Sequence, residues 1–437
     1  MGILSNYIRQ NPSSEKAYRK ACNSLPGGNT RSALYWPPFP LCMVRGRGTR
    51  LWDVDGNERI DFNFNNTSLI LGHNHPKVVS AVQKLIEKGF TLGSPTELEP
   101  KLAEELVRRL KGSDYVRFTP SGTEANMQAV RLARTYSGRS KIAKCIGAYH
   151  GSYDAVTTTP KSKAGIPEGT MENTIFFPYN NAEAAEELVK EHEDELAAVI
   201  VEPTQRDMTP EPGFLQAIRE ITERHDILLV FDEVISFRLS HGGAQELYGV
   251  TPDITCMGKI IGGGYPVGAY ASSEEIMEPL IIPESDLPDL AGPELGFSGT
   301  FNAHPVTMTA GLAVMKEMQP PVYDKMSALG ARVREGLESL LDEAGVTVFV
   351  GGTGSFFHIR WTRERVYDYR TSATQSRILS QYFSLGMMNR GTYYLGHTNV
   401  SAITTEEEAK RLLDAARGTV DEMMPLIEEH APHLLTD

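Results

Sequence analysis

Cysteine is scarce in this sequence. The chain of 437 residues holds four, Cys22, Cys42, Cys145 and Cys256. They show no CxxC pair and no metal-like spacing, which argues against a disulfide framework or a zinc site. Cys145 and Cys256 sit in apolar stretches and are expected to be buried and inert. Long apolar runs are missing too. No run of about 18 apolar residues occurs, so no membrane span is expected. The N-terminal stretch MGILSNYIRQNPSSEKAYRK lacks the apolar core of a secretory signal. Positive charge is in deficit, with 43 Lys and Arg against 56 Asp and Glu and a net charge of −13. Nucleic acids and anionic membranes would repel such a surface, although a small anion in a local positive pocket stays possible. A cytoplasmic, reducing setting is the simplest expectation, with no resident metal.

What is present is ordinary for a globular protein, at 41% hydrophobic and 23% charged residues, and the length suffices for two domains. No internal repeat or low-complexity segment occurs. A polar, helix-like start leads into the Pro/Gly-rich LPGGNTRSALYWPPFP. Strand-like runs in LCMVRGRGTRLWDVDGNERIDF follow, with a turn signal at Asp55-Gly56. From about residue 75, HPKVVSAVQKLIEKG and ELEPKLAEELVRRLKG carry apolar residues at helical spacing. Then short apolar strands alternate with helices: YVRFT (115–119), KIAKCI (141–146), AAVIVE (197–202), ILLVFD (227–232) and VGAYA (267–271). That alternation predicts an α/β fold with a mainly parallel sheet covered by helices, with ligands at the carboxyl ends of the strands. From about 311 the chain reads as helix, then VTVFVGGTGSFFHIRW, then helices, a smaller α+β domain. The expected division is an N-terminal segment over 1–60 that joins the small domain, a large cofactor-binding domain over 61–310 and a small C-terminal domain over 311–437.

Four features of the middle region point to one kind of ligand. In FTPSGTEAN a strand ends, Ser121-Gly122-Thr123 turn, and a helix begins. Free N–H groups and the helix dipole suit a phosphate there, and the bland alternative is a capped helix start. Asp232 ends the apolar run ILLVFD, where a carboxylate needs a partner. A protonated pyridine nitrogen would serve, and so would a structural donor. Lys259 in CMGKIIGGGYPVGAY lies among apolar residues and glycines. Burial would favour the neutral amine needed for a Schiff base, against the alternative of a snorkelling lysine. In CIGAYHGSYD, Tyr149 could stack on a flat ring while His150 and Gly151 fix the turn, or Tyr149 could be core. The order along the chain, each near a strand end, strengthens all four.

On these residues the chain resembles class III aminotransferases, particularly the glutamate-1-semialdehyde aminomutase-like group. SGTEAN, AYHG, VEPTQ, FSGTFNAHP and the long segment from LLVFDEV to MGKIIGGGYPVGAY fall in the same order as in that family. The resemblance implies the fold type I architecture of pyridoxal-5′-phosphate (PLP) enzymes and a homodimer with shared active sites. It implies Lys259 as the Schiff-base lysine and proton carrier, and Asp232 as partner of the pyridine nitrogen. Val234 and Tyr149 would flank the ring beside His150, and Ser121, Gly122 and Thr123 would hold the phosphate. Thr300 would reach the phosphate of the neighbouring subunit. Glu202 in VEP matches an acidic residue near the cofactor, with a structural role the alternative. Arg31 in GGNTRSA matches an arginine that holds a substrate carboxylate.

Three departures separate the chain from the aminomutase. Asn66 stands where that group has an aromatic lining residue. The stretch between Tyr153 and PYNN is shorter than its gating loop. The segment GTYYLGHTNVSAITTEEE lacks its acidic loop residue and also lacks the second arginine of some β-amino acid aminotransferases. Tyr393, Tyr394 and His397 are candidates for a different substrate pocket. A reduced gate favours an intermolecular aminotransferase with ping-pong kinetics between an amino acid or amine donor and a keto or aldehyde acceptor. An aminomutase or racemase on the same scaffold is the alternative, ahead of a catalytically silent PLP-binding protein. A Rossmann-type oxidoreductase would need a GxGxxG turn, which GKIIGGG does not supply.

Overall fold

The computed structural model describes residues 2–156, 164–205, 208–282 and 292–436. The chain forms two compact units, one of Met1–Pro76, Asp324–Val366 and Arg370–Asp437, the other of Lys77–Tyr323 with Tyr367–Tyr369. The first division falls at Pro76 rather than at residue 60. The strand Glu58–Asp61 pairs with Thr392–Tyr393, and Gly48 bridges to His73, which keeps residues 61–76 with the smaller unit. The second division lies within the helix Pro320–Glu343.

The larger unit is built on seven strands: β1 (Tyr115–Thr119), β2 (Lys141–Cys145), β3 (Thr174–Phe177), β4 (Leu196–Val201), β5 (Leu228–Asp232), β6 (Ile254–Gly258) and β7 (Gly268–Ser272). They lie in the order β1-β7-β6-β5-β4-β2-β3. The pairs among β2 to β6 are parallel. Strand β7 runs antiparallel to both its neighbours, β1 and β6. The reason is length. Residues 259–267 are too few for the crossover that a parallel return from β6 would need. Every residue of β4, β6 and β7 is buried, as expected for strands covered on both faces. The helix Gly122–Ser137 packs Ala129, Leu132 and Ala133 against Ile200, Val230 and Tyr270 of the sheet. Full burial of each large apolar side chain contributes roughly 1.5–3 kcal/mol. Because β7 is reversed, β1, β2, β4, β5 and β6 all present their carboxyl ends at one edge.

In the smaller unit, Met43–Arg47, Arg50–Asp53 and Glu58–Asp61 form an antiparallel meander. Its second turn places Gly56 at φ 85°, a conformation that costs glycine little. Arg59, buried, pairs with the buried Asp53 and donates to Asn11. Phe349–Gly351 and His358–Arg360 form a two-stranded ribbon. The helices Arg377–Asn389 and Glu406–His430 pack on one another, the second started by a capping box between Thr405 and Glu408. Cys145 and Cys256 are buried as expected, and burial pushes both thiols well up.

Candidate active site

Five strand ends of the larger unit carry the residues singled out in the sequence. After β1, Ser121 is the N-cap of the helix Gly122–Ser137. Its hydroxyl accepts the Glu124 N–H at 3.2 Å and donates to the Glu124 carboxylate at 3.0 Å. The N–H groups of Gly122 and Thr123 belong to the first turn and have no intrahelical acceptor, so they can face an anion. Gly122 is required by a close approach, since a Cβ there would lie 2.9 Å from Val234 Cγ2. Gly151 has φ 103°, and a Cβ on it would lie 2.5 Å from Thr123 Oγ1. The turn, the loop after β2 and the segment after β5 therefore converge with no room to spare.

Asp232, at the end of β5, is 4% exposed. Its Oδ2 accepts from His150 Nδ1 at 2.8 Å and from Asn126 Nδ2 at 2.8 Å, and its Oδ1 accepts the Val234 N–H at 3.0 Å. Burial lowers the pKa of His150 from its usual value, against the opposing pull of Asp232. Burial thus favours a neutral His150 that donates its Nδ1 proton to Asp232. Its Nε2 is buried with no hydrogen-bond partner among the described residues.

Tyr149 is half exposed, and its N–H donates to the buried Glu202 Oε2 at 3.0 Å. Glu202 therefore braces the loop that presents Tyr149. Lys259 follows β6 and begins a short 3-10 turn at φ 49°. A non-glycine residue in that region costs of order 1 kcal/mol or more and persists where the surroundings impose it, commonly at functional sites. The glycines after it serve packing. A Cβ on Gly262 would meet Val267 Cγ1 at 2.5 Å, and one on Gly263 would meet the Ala310 carbonyl oxygen at 2.5 Å. The lysine turn is thus pressed against the helix Pro305–Glu317. Thr300 is exposed.

Arg31 and Asn66 belong to the smaller unit. Arg31 is exposed, and its Nη1 donates to Asn65 Oδ1 at 2.8 Å. Asn66 is half buried. Its N–H donates to Asn63 Oδ1 at 2.7 Å, and its Oδ1 accepts from Asn63 Nδ2 at 3.0 Å. Residues Phe64, Asn65, Asn66 and Thr67 all have positive φ, from 47° to 73°. The asparagine content was the only hint of this left-handed turn, since Asn tolerates that region better than most residues.

Residues 33–414 match the family described as Aminotransferase class-III. The chain belongs to the class III aminotransferase family. It is 41% identical over 391 residues to a glutamate-1-semialdehyde 2,1-aminomutase of Methanothermobacter thermautotrophicus, covering 87% of this chain and 91% of the relative. Among solved structures it is similar to an omega-transaminase from Sphaerobacter thermophilus, at 40% identity and TM-score 0.89, covering 95% of this chain and 99% of that one. It is also similar to a beta-phenylalanine aminotransferase from Variovorax paradoxus, at 31% identity and TM-score 0.87, covering 99% and 98%. This class III aminotransferase is a PLP-dependent enzyme. Its residues fit that cofactor. A buried carboxylate with three donors stands at one strand end, and an anion-ready helix start stands at another. A glycine-lined convergence lies between them, where added Cβ atoms would clash.

Proposed function

We propose that the protein is an intermolecular aminotransferase that moves an amino group from an amino acid, β-amino acids included, or an amine to a keto or aldehyde acceptor. The observation that carries this reading is the segment Thr392–Thr405, TYYLGHTNVSAITT, which contains no acidic residue and no arginine or lysine. An aminomutase has to keep its intermediate bound while nitrogen shifts between adjacent carbons, and this segment offers no charged group to retain it.

Bound PLP supplies an aldehyde that condenses with amines and a ring that takes up the electron pair left when a proton leaves the adjacent carbon. The chain's residues do the rest. Ser121, Gly122 and Thr123 would seat the phosphate through hydroxyl and main-chain donors. Asp232, held in place by His150, Asn126 and the Val234 N–H, would be the partner of the ring nitrogen. Val234 and Tyr149 would flank the ring, and Glu202 fixes the Tyr149 main chain. Lys259 Nζ would anchor the cofactor through its aldehyde. The same Nζ, when free, would be the base that holds and moves a proton beside the amine-bearing carbon. Arg31 offers a guanidinium fork to a substrate carboxylate, and Asn66 lines the substrate side.

The active unit is a homodimer in which Thr300 completes the phosphate seat of the neighbouring subunit, and four unpaired thiols suit a cytoplasmic setting. A second reading, an aminomutase, is supported by the name and 41% identity of the relative above. A panel of α- and β-amino acids and amines, each offered with pyruvate or 2-oxoglutarate, separates the two. Ping-pong turnover with a ketone product supports the aminotransferase. Isomerisation of glutamate 1-semialdehyde without any acceptor, and no turnover in the panel, would overturn it.

A further inference from the structure

Asn126 is explained neither by the packing of its helix nor by a part in binding substrate. It lies one turn inside the helix Gly122–Ser137, among the buried Ala125, Ala129 and Val130, and is itself 1% exposed. Asparagine is a poor helix former, and burying its amide is costly unless it is paired. Here both amide protons are used. Nδ2 donates to Asp232 Oδ2 at 2.8 Å and to the main-chain oxygen of His150 at 3.1 Å. One side chain therefore ties together the phosphate-turn helix, the loop that carries Tyr149 and His150, and the end of β5. Its Oδ1 is buried without a hydrogen-bond partner among the described residues. The donors are what the site uses, and the orphaned acceptor is the cost of having them.

We infer that Asn126 is a positioning residue that acts through Asp232, fixing the carboxylate as an anion aimed at the ring nitrogen of bound PLP, at a set reach from the phosphate seat on Asn126's own helix. The inference rests on Asp232 being the partner of that nitrogen. Both side-chain donors to Oδ2, Asn126 Nδ2 and His150 Nδ1, are neutral. They orient the carboxylate without cancelling its charge, as a lysine or arginine would. The aspartate variant of Asn126 has the same shape but replaces the donors with acceptors. It places like charge against Asp232, so one of the two carboxyl groups must keep a proton at neutral pH.

The test uses the full chain, stripped of PLP and reloaded, as wild type, Asn126→Ala, Asn126→Asp and Asp232→Asn. Dissociation constants are measured for PLP and for its 1-deaza analogue, in which the ring nitrogen is a C–H. Absorbance of the PLP-loaded proteins is followed against pH. Asn126→Ala should weaken PLP on the order of tenfold, the worth of one hydrogen bond to a buried charge, and weaken the deaza analogue far less. Asn126→Asp should lose more, and its bound cofactor should gain a pH-dependent spectrum in the neutral range. If Asn126→Asp does not fold, Asn126→Ala carries the same comparison. Equal losses for both cofactors in the Asn126 variants would overturn the inference and leave Asn126 a packing residue. Equal losses for both cofactors in Asp232→Asn would instead overturn the reading of Asp232.

Discussion

The segment that holds Asp232 and the segment that holds Arg31 are fixed in opposite ways. Asp232 ends a buried strand, and three donors from three different elements converge on its carboxylate. Removing one leaves two. Arg31 lies on an exposed stretch, and its guanidinium has one hydrogen bond among the described residues, to Asn65. Asn65 sits in a turn of four left-handed residues. Each such residue costs roughly 1–2 kcal/mol relative to ordinary backbone. The turn persists because Asp61 Oδ1 accepts the N–H groups of Asn63 and Phe64 at 2.8 and 2.9 Å, and Asn63 Oδ1 accepts that of Asn66. Asp232 is held by redundant, buried contacts, and Arg31 by one contact to a strained surface turn.

The largest break in that comparison is expected at Lys259. Lys259→Ala removes both the covalent anchor and the proton carrier, so turnover should fall by more than about a thousandfold. Borohydride treatment of the loaded enzyme should attach cofactor to wild type at this residue and leave the variant unlabelled. Asp232→Asn comes next. It keeps the shape and loses the charge, and kcat should drop about a hundredfold to a thousandfold, in the range of losing a preorganised electrostatic partner. A loss under about tenfold would mean that the buried carboxylate only supports structure.

Asp232 and Lys259 stand out in the sequence because each lies at the end of an apolar strand, where a polar side chain needs a reason. Asp232 and Lys259 could be found from that rule alone, and the turn at 121–123 from its helix start. The strand Thr174–Phe177, at four residues, is too short to separate from loop by pattern, whereas Ile254–Gly258 is as long as strands that the pattern does reveal. The reversal of β7 follows from loop length rather than from its own residues. Asn126 leaves little trace in the sequence because its partner lies 106 positions away, with only a poor helix former on a buried face to mark it. The left-handed turn at 64–67 left almost no trace, since hydrogen bonds from Asp61 and Asn63 impose it against the local preference of Phe64 and Thr67.

At the substrate end, Arg31→Ala should lower kcat/KM for carboxylate-bearing donors roughly tenfold to a hundredfold, the worth of a charge-assisted hydrogen bond. Simple amines should be almost unaffected, and equal losses on both donor types would deny Arg31 its role. At the cofactor end, the low pKa of buried His150 predicts a pH dependence of stability. The folded state keeps this imidazole neutral, while the unfolded chain takes up a proton below the usual value of 6.5. The unfolded state then binds more protons, so stability contributed here is complete above that pH and is lost as pH falls. Replacing His150 by Gln removes the titration. The fall in melting temperature from about pH 7 to about pH 5 should therefore be smaller in His150→Gln than in wild type.

The smallest effect should come from Asn65→Gly. Glycine adopts the left-handed backbone more readily than asparagine, so the turn should keep its shape, and stability should change by no more than about 0.5 kcal/mol. What is lost is the acceptor at 2.8 Å that holds the Arg31 guanidinium. An exposed hydrogen bond of this kind contributes about 0.5–1.5 kcal/mol, which corresponds to a rise of about twofold to tenfold in KM for a carboxylate-bearing donor, with kcat unchanged. A loss beyond about a hundredfold, measured on a protein with unchanged melting temperature, would mean that Arg31 depends on Asn65 far more than one exposed hydrogen bond allows. The substrate end would then be as sharply determined as the cofactor end, by a single contact in place of a redundant set.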